Sequence, residues 1–183
     1  EVGEGVQNFA PGDKVYGEAN VVAANSGAFA EFAVTAADQV GRMPGNVDFG
    51  EAASLPLVGA SALQALTENI KLATGQKIFI HGGGGGIGSI AIQIAKHIGA
   101  YVAVTATSED VQRVKDLGAD EVIDYRQQDF AEVLKDFDAA FDTVGGDDFV
   151  KMFGVVKQGG VAVTMVAQTD ESKAKARTVT VIH

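Results

Sequence analysis

From residue 75 onward, apolar positions follow two alternating patterns. Short runs rich in β-branched and aromatic residues predict buried strands, whereas runs with apolar residues three and four positions apart predict helices. Strands are predicted at Lys77–His81, 101–105, Glu121–Asp124, 138–142 and 161–166, and helices at 87–98, 109–117, 130–134 and about 147–153. This alternation predicts an α/β fold, a doubly wound parallel sheet that binds its ligand at the carboxyl ends of the strands.

The first 55 residues have a different pattern. A turn at 11–13, a short strand at 14–17 and a strand-like run at 27–35 predict an incomplete all-β segment. Residues 51–70 are helical in periodicity, with interruptions expected at Pro56 and Gly59. We therefore expect two domains, 1–55 and 56–183. A last strand-like stretch, 178–182, directly before the end of the chain suggests that the sequence is cut there.

A run of five glycines, 82–86, separates the first predicted strand from the first long helix. Gly83, Gly85 and Gly88 fit the pattern G-x-G-x-x-G, in which glycines permit a tight turn, close approach of a pyrophosphate and helix–strand packing. A flexible linker has similar composition, but the flanking strand and helix favour a phosphate-binding turn. A P-loop is excluded because no Lys-Ser or Lys-Thr pair follows the glycines.

Composition limits the classes of partner. The 183 residues include 14 basic and 24 acidic ones, a formal charge of −10, which disfavours nucleic acid and anionic membranes as partners. No run of about 18 apolar residues and no secretory leader is present, so we expect a soluble, cytoplasmic protein. The absence of cysteine excludes disulfides and thiolate zinc sites, and it fits a reducing compartment.

The end of the second strand bears on the choice of dinucleotide. NAD sites often have an acidic residue there that binds the ribose hydroxyls, but residues 101–108 contain no acid. Thr107 and Ser108 could instead donate hydroxyl hydrogen bonds to a 2′-phosphate, which favours NADPH. Both residues suit a helix N-cap equally well.

Charged residues just beyond that strand have opposing effects. Glu109 and Asp110 would repel a phosphate, and the nearest compensating cations are Arg113 and Arg126. Either arginine could supply the positive charge that a phosphate needs.

Seven segments occur in the order and spacing of a known superfamily: residues 11–17, 27–32, 51–57, 81–89, 117–120 with 123–125, 142–146 and 159–160. Through these seven segments the chain resembles the medium-chain dehydrogenase/reductases. Within that superfamily it most resembles the zinc-independent quinone oxidoreductases (zeta-crystallin-like) and enone reductases. The resemblance covers essentially the whole chain. It implies a partial GroES-like substrate domain at 1–55 and a Rossmann domain at 56–183, in a chain truncated at both ends.

The resemblance also implies roles for individual residues. Gly83, Gly85, Gly86, Ile87 and Gly88 would hold the pyrophosphate. Thr107, Ser108 and Tyr125 would lie beside the 2′-phosphate, although Tyr125 could also be an ordinary surface residue. Ser61 would face the nicotinamide or its ribose, and Val144, Gly145, Met165 and Val166 would line the cofactor cleft. The family usually has a lysine at the position of Asp110 or Val111. Without that lysine, we expect the affinity for the 2′-phosphate to be weak or to depend on Arg113.

The function implied is NADPH-dependent, zinc-independent transfer of hydride to a quinone or an α,β-unsaturated carbonyl compound, by a parent protein that forms a homodimer. Zinc-dependent relatives carry cysteines that are missing here. Two alternatives remain, an enoyl-thioester reductase and a cofactor-binding but inert or structural module. No catalytic residue is assigned, and His81, His97 and His183 are each expected to be structural.

Overall fold

The computed structural model describes residues 1–19 and 27–166, together with the backbone of 180–182. The chain divides into two compact units, Glu1–Ala60 and Ser61–His183. This division lies a few residues after the predicted domain boundary. The assignment of the first unit to a GroES-like domain stays a prediction.

The first unit contains a small antiparallel sheet. Strand β1 (Val15–Gly17) pairs with β2 (Val40–Arg42), and a short 3-10 helix, Ala37–Gln39, precedes β2. Helix α1 (Phe49–Ala53) begins with a capping box, in which the Asp48 side chain accepts from the Glu51 N–H and the Glu51 side chain accepts from the Asp48 N–H. These reciprocal bonds satisfy two amide groups that a helix start otherwise leaves without partners.

The strand predicted at 27–35 is wrong, because the structure has only bends and irregular backbone there. Phe29 and Phe32 are almost fully exposed and Val34 is largely so. Among the described strands, none forms a ladder with this segment, and extended backbone is a β-strand only within such a ladder.

The second unit is built on a six-stranded sheet with the order β5-β4-β3-β6-β7-β8. Every neighbouring pair of strands is parallel. The strands are β3 (Lys77–His81), β4 (Tyr101–Ala106), β5 (Glu121–Asp124), β6 (Phe137–Asp142), β7 (Val156–Thr164) and β8 (Thr180–Ile182). The predicted doubly wound α/β fold is confirmed. The strand order reverses between β3 and β6, where such sheets bind their ligands.

The helices of the chain after α1 are α2 (Pro56–Gln64), a π-helical turn (Ala65–Asn69), α3 (Gly86–Ile98), α4 (Val111–Asp116), α5 (Phe130–Val133) and α6 (Asp147–Val155). Gly99 follows the last residue of α3 in the left-handed conformation, φ +91°, and the helix ends at residue 98 as predicted. Gly59 lies inside α2, so the interruption expected there is wrong. The helix predicted at 109–117 starts as a 3-10 turn, Ser108–Asp110. Strand β7 begins and ends earlier than predicted, so Met165 and Val166 follow it.

The core has two parts, one for each face of the sheet. On one face, Ile78 and Ile80 of β3 pack with the buried residues of α3, such as Ile92. On the other face, Phe79 packs with an aromatic cluster that includes Phe130, whose ring centroid lies 4.8 Å away. Successive strand side chains point to opposite faces, so a strand that is apolar at every position is buried on both. This rigid sheet holds the loops of the site in place.

Candidate functional site

The glycine run forms the turn from β3 into α3. Gly82 adopts φ +92°, a left-handed conformation, and its N–H donates to the Thr105 hydroxyl at 2.9 Å. The Gly83 N–H donates to the Thr105 carbonyl at 2.9 Å, and the Gly85 N–H donates to the Gly82 carbonyl at 3.0 Å. The turn is therefore tied to the end of β4. It leads into the first turn of α3, whose free amide groups favour an anion.

Glycine is required at two positions because neighbouring atoms leave no room for a Cβ atom. At Gly83 a Cβ would lie 2.8 Å from the Cβ of Val104. At Gly88 a Cβ would overlap the carbonyl oxygen of Gly82 and lie 2.9 Å from both the Gly82 carbonyl carbon and the Gly83 Cα. The helix thus packs directly on the turn, the arrangement that lets a pyrophosphate approach the backbone.

A cleft of about 390 Å³ opens at the carboxyl ends of β3, β4 and β6. Its volume falls in the range of small-molecule sites. It is lined by residues from the turn after β3, the end of β4, the loop after β5, the loop after β6 and the first turn of α6: His81, Gly82, Gly84, Gly85, Thr105, Ala106, Thr107, Asp110, Tyr125, Thr143, Val144 and Asp148.

Four of the residues predicted from the sequence line this cleft: Gly85, Thr107, Tyr125 and Val144. The other predicted glycines and Ile87 lie in the adjoining turn and the start of α3, and Gly145 follows Val144 with φ +82°. The lining does not include Ser61, Ser108, Arg113, Met165 or Val166. Thr143 and Asp148 line it although the sequence analysis named neither. Their only sequence signal is a position just after a buried strand, a signal that many loop residues share.

Hydroxyl groups at the β4 end of the cleft donate to carboxylates. The Thr107 hydroxyl donates to Asp110 Oδ2 at 3.2 Å, and the Ser108 hydroxyl donates to Asp124. Arg113 donates to Asp110 Oδ1 through Nε at 3.0 Å and through Nη2 at 2.8 Å. The Arg113 guanidinium lowers the pKa of Asp110, and the Ser108 hydroxyl lowers that of Asp124. Both acids are therefore charged at neutral pH.

His81 lies at the bottom of the cleft and is only 3% exposed. Its Nδ1 is 2.7 Å from the Thr105 hydroxyl oxygen, which already accepts from the Gly82 N–H. The hydroxyl proton is then best placed to point at Nδ1, which puts the imidazole proton on Nε2. Nε2 is buried without a hydrogen bond and is 3.7 Å from Asp148 Oδ2. Burial lowers the pKa of His81, while Asp142 and Asp148 oppose that shift.

This lowered pKa predicts a loss of stability as pH falls. Below pH about 6.5 the unfolded chain binds a proton at His81 that the folded chain excludes, so the free energy of unfolding rises with pH in that range. Urea unfolding between pH 5 and 7 should show the dependence, with a slope of at most about 1.4 kcal/mol per pH unit. His81→Gln should flatten it and His97→Gln, at an exposed helical position, should keep it. An unchanged slope in His81→Gln would contradict the assignment.

Asp142 at the end of β6 shapes the loop that borders the cleft. It is completely buried. Its Oδ1 accepts from the N–H groups of Val144 and Gly145 at 3.0 and 2.9 Å, and its Oδ2 accepts from the Thr164 hydroxyl at 2.8 Å. Three donors compensate for burying the carboxylate, and they fix the turn that places Val144 at the cleft.

Three apolar side chains remain exposed beyond the ends of β6 and β7. Val144, Met165 and Val166 are all more than two-fifths exposed, and a Cβ on Gly145 would lie 2.9 Å from Val166 Cγ2. The two loops are therefore in contact and form a small apolar surface beside the cleft, which we call the apolar rim.

Neither a metal-binding cluster nor a membrane-spanning helix is present in the described part of the chain. Within residues 1–19 and 27–166, no group of three or more His, Cys, Asp or Glu side chains is arranged to hold a metal ion. In the same part of the chain, no helix combines the length and the apolar character needed to cross a lipid bilayer.

Comparison with known proteins decides the family. The family model described as zinc-binding dehydrogenase matches residues 86–182, just over half of the chain. The chain belongs to this family. A quinone oxidoreductase from Pseudomonas syringae has the same fold, with a TM-score of 0.90 and 29% identity over 100% of this chain and 59% of that one. The resemblance to the quinone and enone reductases among the medium-chain dehydrogenase/reductases is thereby confirmed.

Two curated plant enzymes are similar in sequence. A 2-methylene-furan-3-one reductase from Solanum lycopersicum is 37% identical over 90% of this chain and 43% of its own length. An NADPH-dependent alkenal/one oxidoreductase from Arabidopsis thaliana, a chloroplastic protein, is 34% identical over 90% of this chain and 44% of its own length. The chain thus spans less than half the length of these relatives.

Proposed function

We propose that this chain forms the dinucleotide-binding part of an oxidoreductase that transfers hydride from NADPH to a quinone or an α,β-unsaturated carbonyl compound. The observation that carries the proposal is the turn from β3 to α3, where Cβ atoms are excluded at Gly83 and Gly88 beside an open cleft. A backbone so closely packed fits a pyrophosphate, which needs amide donors and no side chains. The names of the relatives, alkenal/one oxidoreductase and 2-methylene-furan-3-one reductase, support the same class of substrate.

Within this proposal the predicted residues fall into three groups along the dinucleotide. The pyrophosphate would lie on the turn formed by Gly83, Gly85, Gly86, Ile87 and Gly88, where the first amide groups of α3 can donate to it. The adenosine 2′-phosphate would lie near Thr107, Ser108, Arg113 and Tyr125. The nicotinamide end would lie toward Ser61, Val144, Gly145, Met165 and Val166. The cleft lining supports one residue or more of each group, namely Gly85, Thr107 with Tyr125, and Val144.

The apolar rim fits the proposed acceptor. NADPH supplies the hydride when it is bound, and the chain's residues orient it and shield the reaction from water. Val144, Met165 and Val166 offer an apolar surface to a flat, conjugated acceptor. In such an acceptor, delocalisation accommodates the charge that develops on hydride addition.

The proposal has further parts that follow from the sequence. The reaction is proposed to be independent of zinc because the cysteine ligands of the zinc-dependent relatives are missing. We propose a cytoplasmic, homodimeric protein whose first unit is part of a GroES-like substrate domain. The name of one relative places that protein in the chloroplast, so the compartment needs its own measurement, for example by fractionation.

The activity is tested on the protein expressed from its complete open reading frame. Oxidation of NADPH is followed with 1,4-benzoquinone, a 2-alkenal or an enoyl thioester as acceptor, with and without a zinc chelator. We expect turnover with the quinone or the alkenal and no effect of the chelator. Turnover with the thioester alone would favour the enoyl-thioester reductase, and NADPH binding without turnover of any acceptor would favour the inert module.

A further inference from the structure

Asp110 places a carboxylate beside the residues proposed to bind the 2′-phosphate. It lines the cleft at the β4 end, and a Cβ built on Gly84 would lie 2.8 Å from Asp110 Oδ2 and 3.5 Å from Arg113 Nη2. A carboxylate and a guanidinium therefore reach the same point of the phosphate-binding turn. The carboxylate is the nearer of the two.

Arg113 is held in place by that carboxylate. Its Nε and Nη2 donate to Asp110 Oδ1, and Nη2 also donates to the Gly84 carbonyl at 2.5 Å. A guanidinium binds a phosphate best through two parallel N–H groups. The edge that carries Nε and Nη2 is already occupied by Asp110, so a 2′-phosphate would have to compete with a fixed carboxylate for it.

The two hydroxyl groups beside Arg113 are engaged in the same way. The Thr107 hydroxyl donates a hydrogen bond to Asp110, and the Ser108 hydroxyl donates one to Asp124. Asp124 also accepts from the Gln127 side chain at 2.7 Å. A hydroxyl has one proton to donate, so neither group can donate to a phosphate while it bonds a carboxylate.

The charges of this cluster sum to an excess of acid. Glu109, Asp110 and Asp124 face two cations, Arg113 and Arg126, and Arg126 lies 3.4 Å from Glu109. A phosphate monoester adds about 1.5 to 2 further negative charges at neutral pH, whereas the free 2′-hydroxyl of NADH adds none. The cluster therefore reduces the advantage that the site gives to NADPH over NADH.

We propose that Asp110 restrains Arg113 and thereby limits the preference of this site for a 2′-phosphorylated dinucleotide. The inference rests on the proposed function, because it presumes that the cleft binds a nicotinamide dinucleotide. Removing the charge at position 110 weakens the bonds from the guanidinium and from the Thr107 hydroxyl, because a neutral side-chain oxygen accepts less strongly than a carboxylate. A 2′-phosphate can then compete for both donors and meets one repulsion fewer, while NADH is unaffected.

The test is a calorimetric titration of the purified chain with NADPH and, separately, with NADH. Asp110→Asn should bind NADPH on the order of tenfold more tightly than the unsubstituted chain and bind NADH within about twofold of it. Asp110 makes no capping bond to α4, so the substitution removes no helix cap. Asp110→Ser provides a second, smaller replacement if the first variant does not fold.

Two further variants test whether the tighter binding of NADPH by Asp110→Asn comes from Arg113. Asp116→Asn, on the exposed face of α4, removes the same charge away from the cleft and should leave both affinities unchanged. Arg113→Gln in the Asp110→Asn background should abolish the gain for NADPH, because the freed guanidinium provides it. This coupling is the readout that a general effect of charge would not produce.

Any other result of these titrations would contradict either the inference about Asp110 and Arg113 or the proposed function. If both dinucleotides bind and Asp110→Asn leaves their affinity ratio unchanged, or tightens both equally, the inference about Asp110 is wrong and the proposed function stands. If the gain for NADPH survives Arg113→Gln, the assigned role of Arg113 is wrong. If neither dinucleotide binds the unsubstituted chain, the proposed function fails, and this inference fails with it.

Discussion

Gly88→Ala is expected to weaken dinucleotide binding strongly and to destabilise the second unit, although alanine is the better helix former. The added Cβ would overlap the Gly82 carbonyl oxygen and lie 2.9 Å from the Gly82 carbonyl carbon and the Gly83 Cα. These are backbone atoms, so relief requires the turn to move away from α3. We expect a loss of about 1–3 kcal/mol in the free energy of unfolding and at least roughly a hundredfold rise in the Kd for NADPH.

The matched control is the same substitution in another helix. Gly59 lies inside α2, where a Cβ would meet only the Leu55 Cβ at 4.0 Å. Gly59→Ala should therefore stabilise the chain by about 0.5–1 kcal/mol through helix propensity. Urea unfolding and calorimetric titration of both variants provide the comparison. Gly88→Ala with unaltered stability and affinity would show that the turn does not bind the pyrophosphate through its close packing on α3.

Asp142→Ala is expected to have the largest effect on stability. It would leave the N–H groups of Val144 and Gly145 and the Thr164 hydroxyl without the carboxylate that accepts from them. A buried donor that loses its acceptor costs about 1–3 kcal/mol. The Val144 N–H is only partly buried, and backbone relaxation recovers part of the cost of the other two. We expect a loss of about 3–5 kcal/mol in the free energy of unfolding.

Asp142→Asn separates the effect of losing the hydrogen-bond acceptor from the effect of losing the negative charge. Asp142→Asn keeps one oxygen that can accept from both N–H groups, and its amide can donate to the Thr164 hydroxyl oxygen. It should lose clearly less stability than Asp142→Ala in the same urea titration. The loop that carries Val144 should remain in place in Asp142→Asn and move in Asp142→Ala, where NADPH affinity falls as well. Equal destabilisation by the two variants would contradict the account of this loop.

The sequence predicted best what depends on local pattern. The strands Lys77–His81 and Glu121–Asp124 have the predicted bounds because short β-branched runs end there at turn residues. The predicted end of α3 at residue 98 is confirmed, because Gly99 adopts a positive φ directly after it. The pairing of strands that are far apart in the sequence could not be predicted in this way. The run 27–35 has the composition of a strand and no partner strand in the described chain, so its residues remain irregular.

The residues of the candidate site also fall into those that a local sequence pattern predicts and those that depend on strand pairing. The glycine turn could be predicted because its motif, its preceding strand and its helix are contiguous in the sequence. Thr143 and Asp148 reach the cleft only through the pairing of β3 with β6, about 60 residues apart in the chain. The hydroxyls of Thr107 and Ser108 were predicted to face a phosphate. That they donate to Asp110 and Asp124 depends on side-chain positions, which no sequence pattern specifies.

The central claim is that this chain binds a nicotinamide dinucleotide in the cleft beside the glycine turn. The most direct test is the melting temperature of the purified chain without ligand and with millimolar NADPH or NADH. A ligand that binds only the folded state at a hundred times its Kd adds about 2.7 kcal/mol to the free energy of unfolding. We predict a rise of several degrees with NADPH, about 2 to 8 °C for each kcal/mol, and no such rise in Gly88→Ala. An unchanged melting temperature with millimolar concentrations of both dinucleotides would contradict the claim.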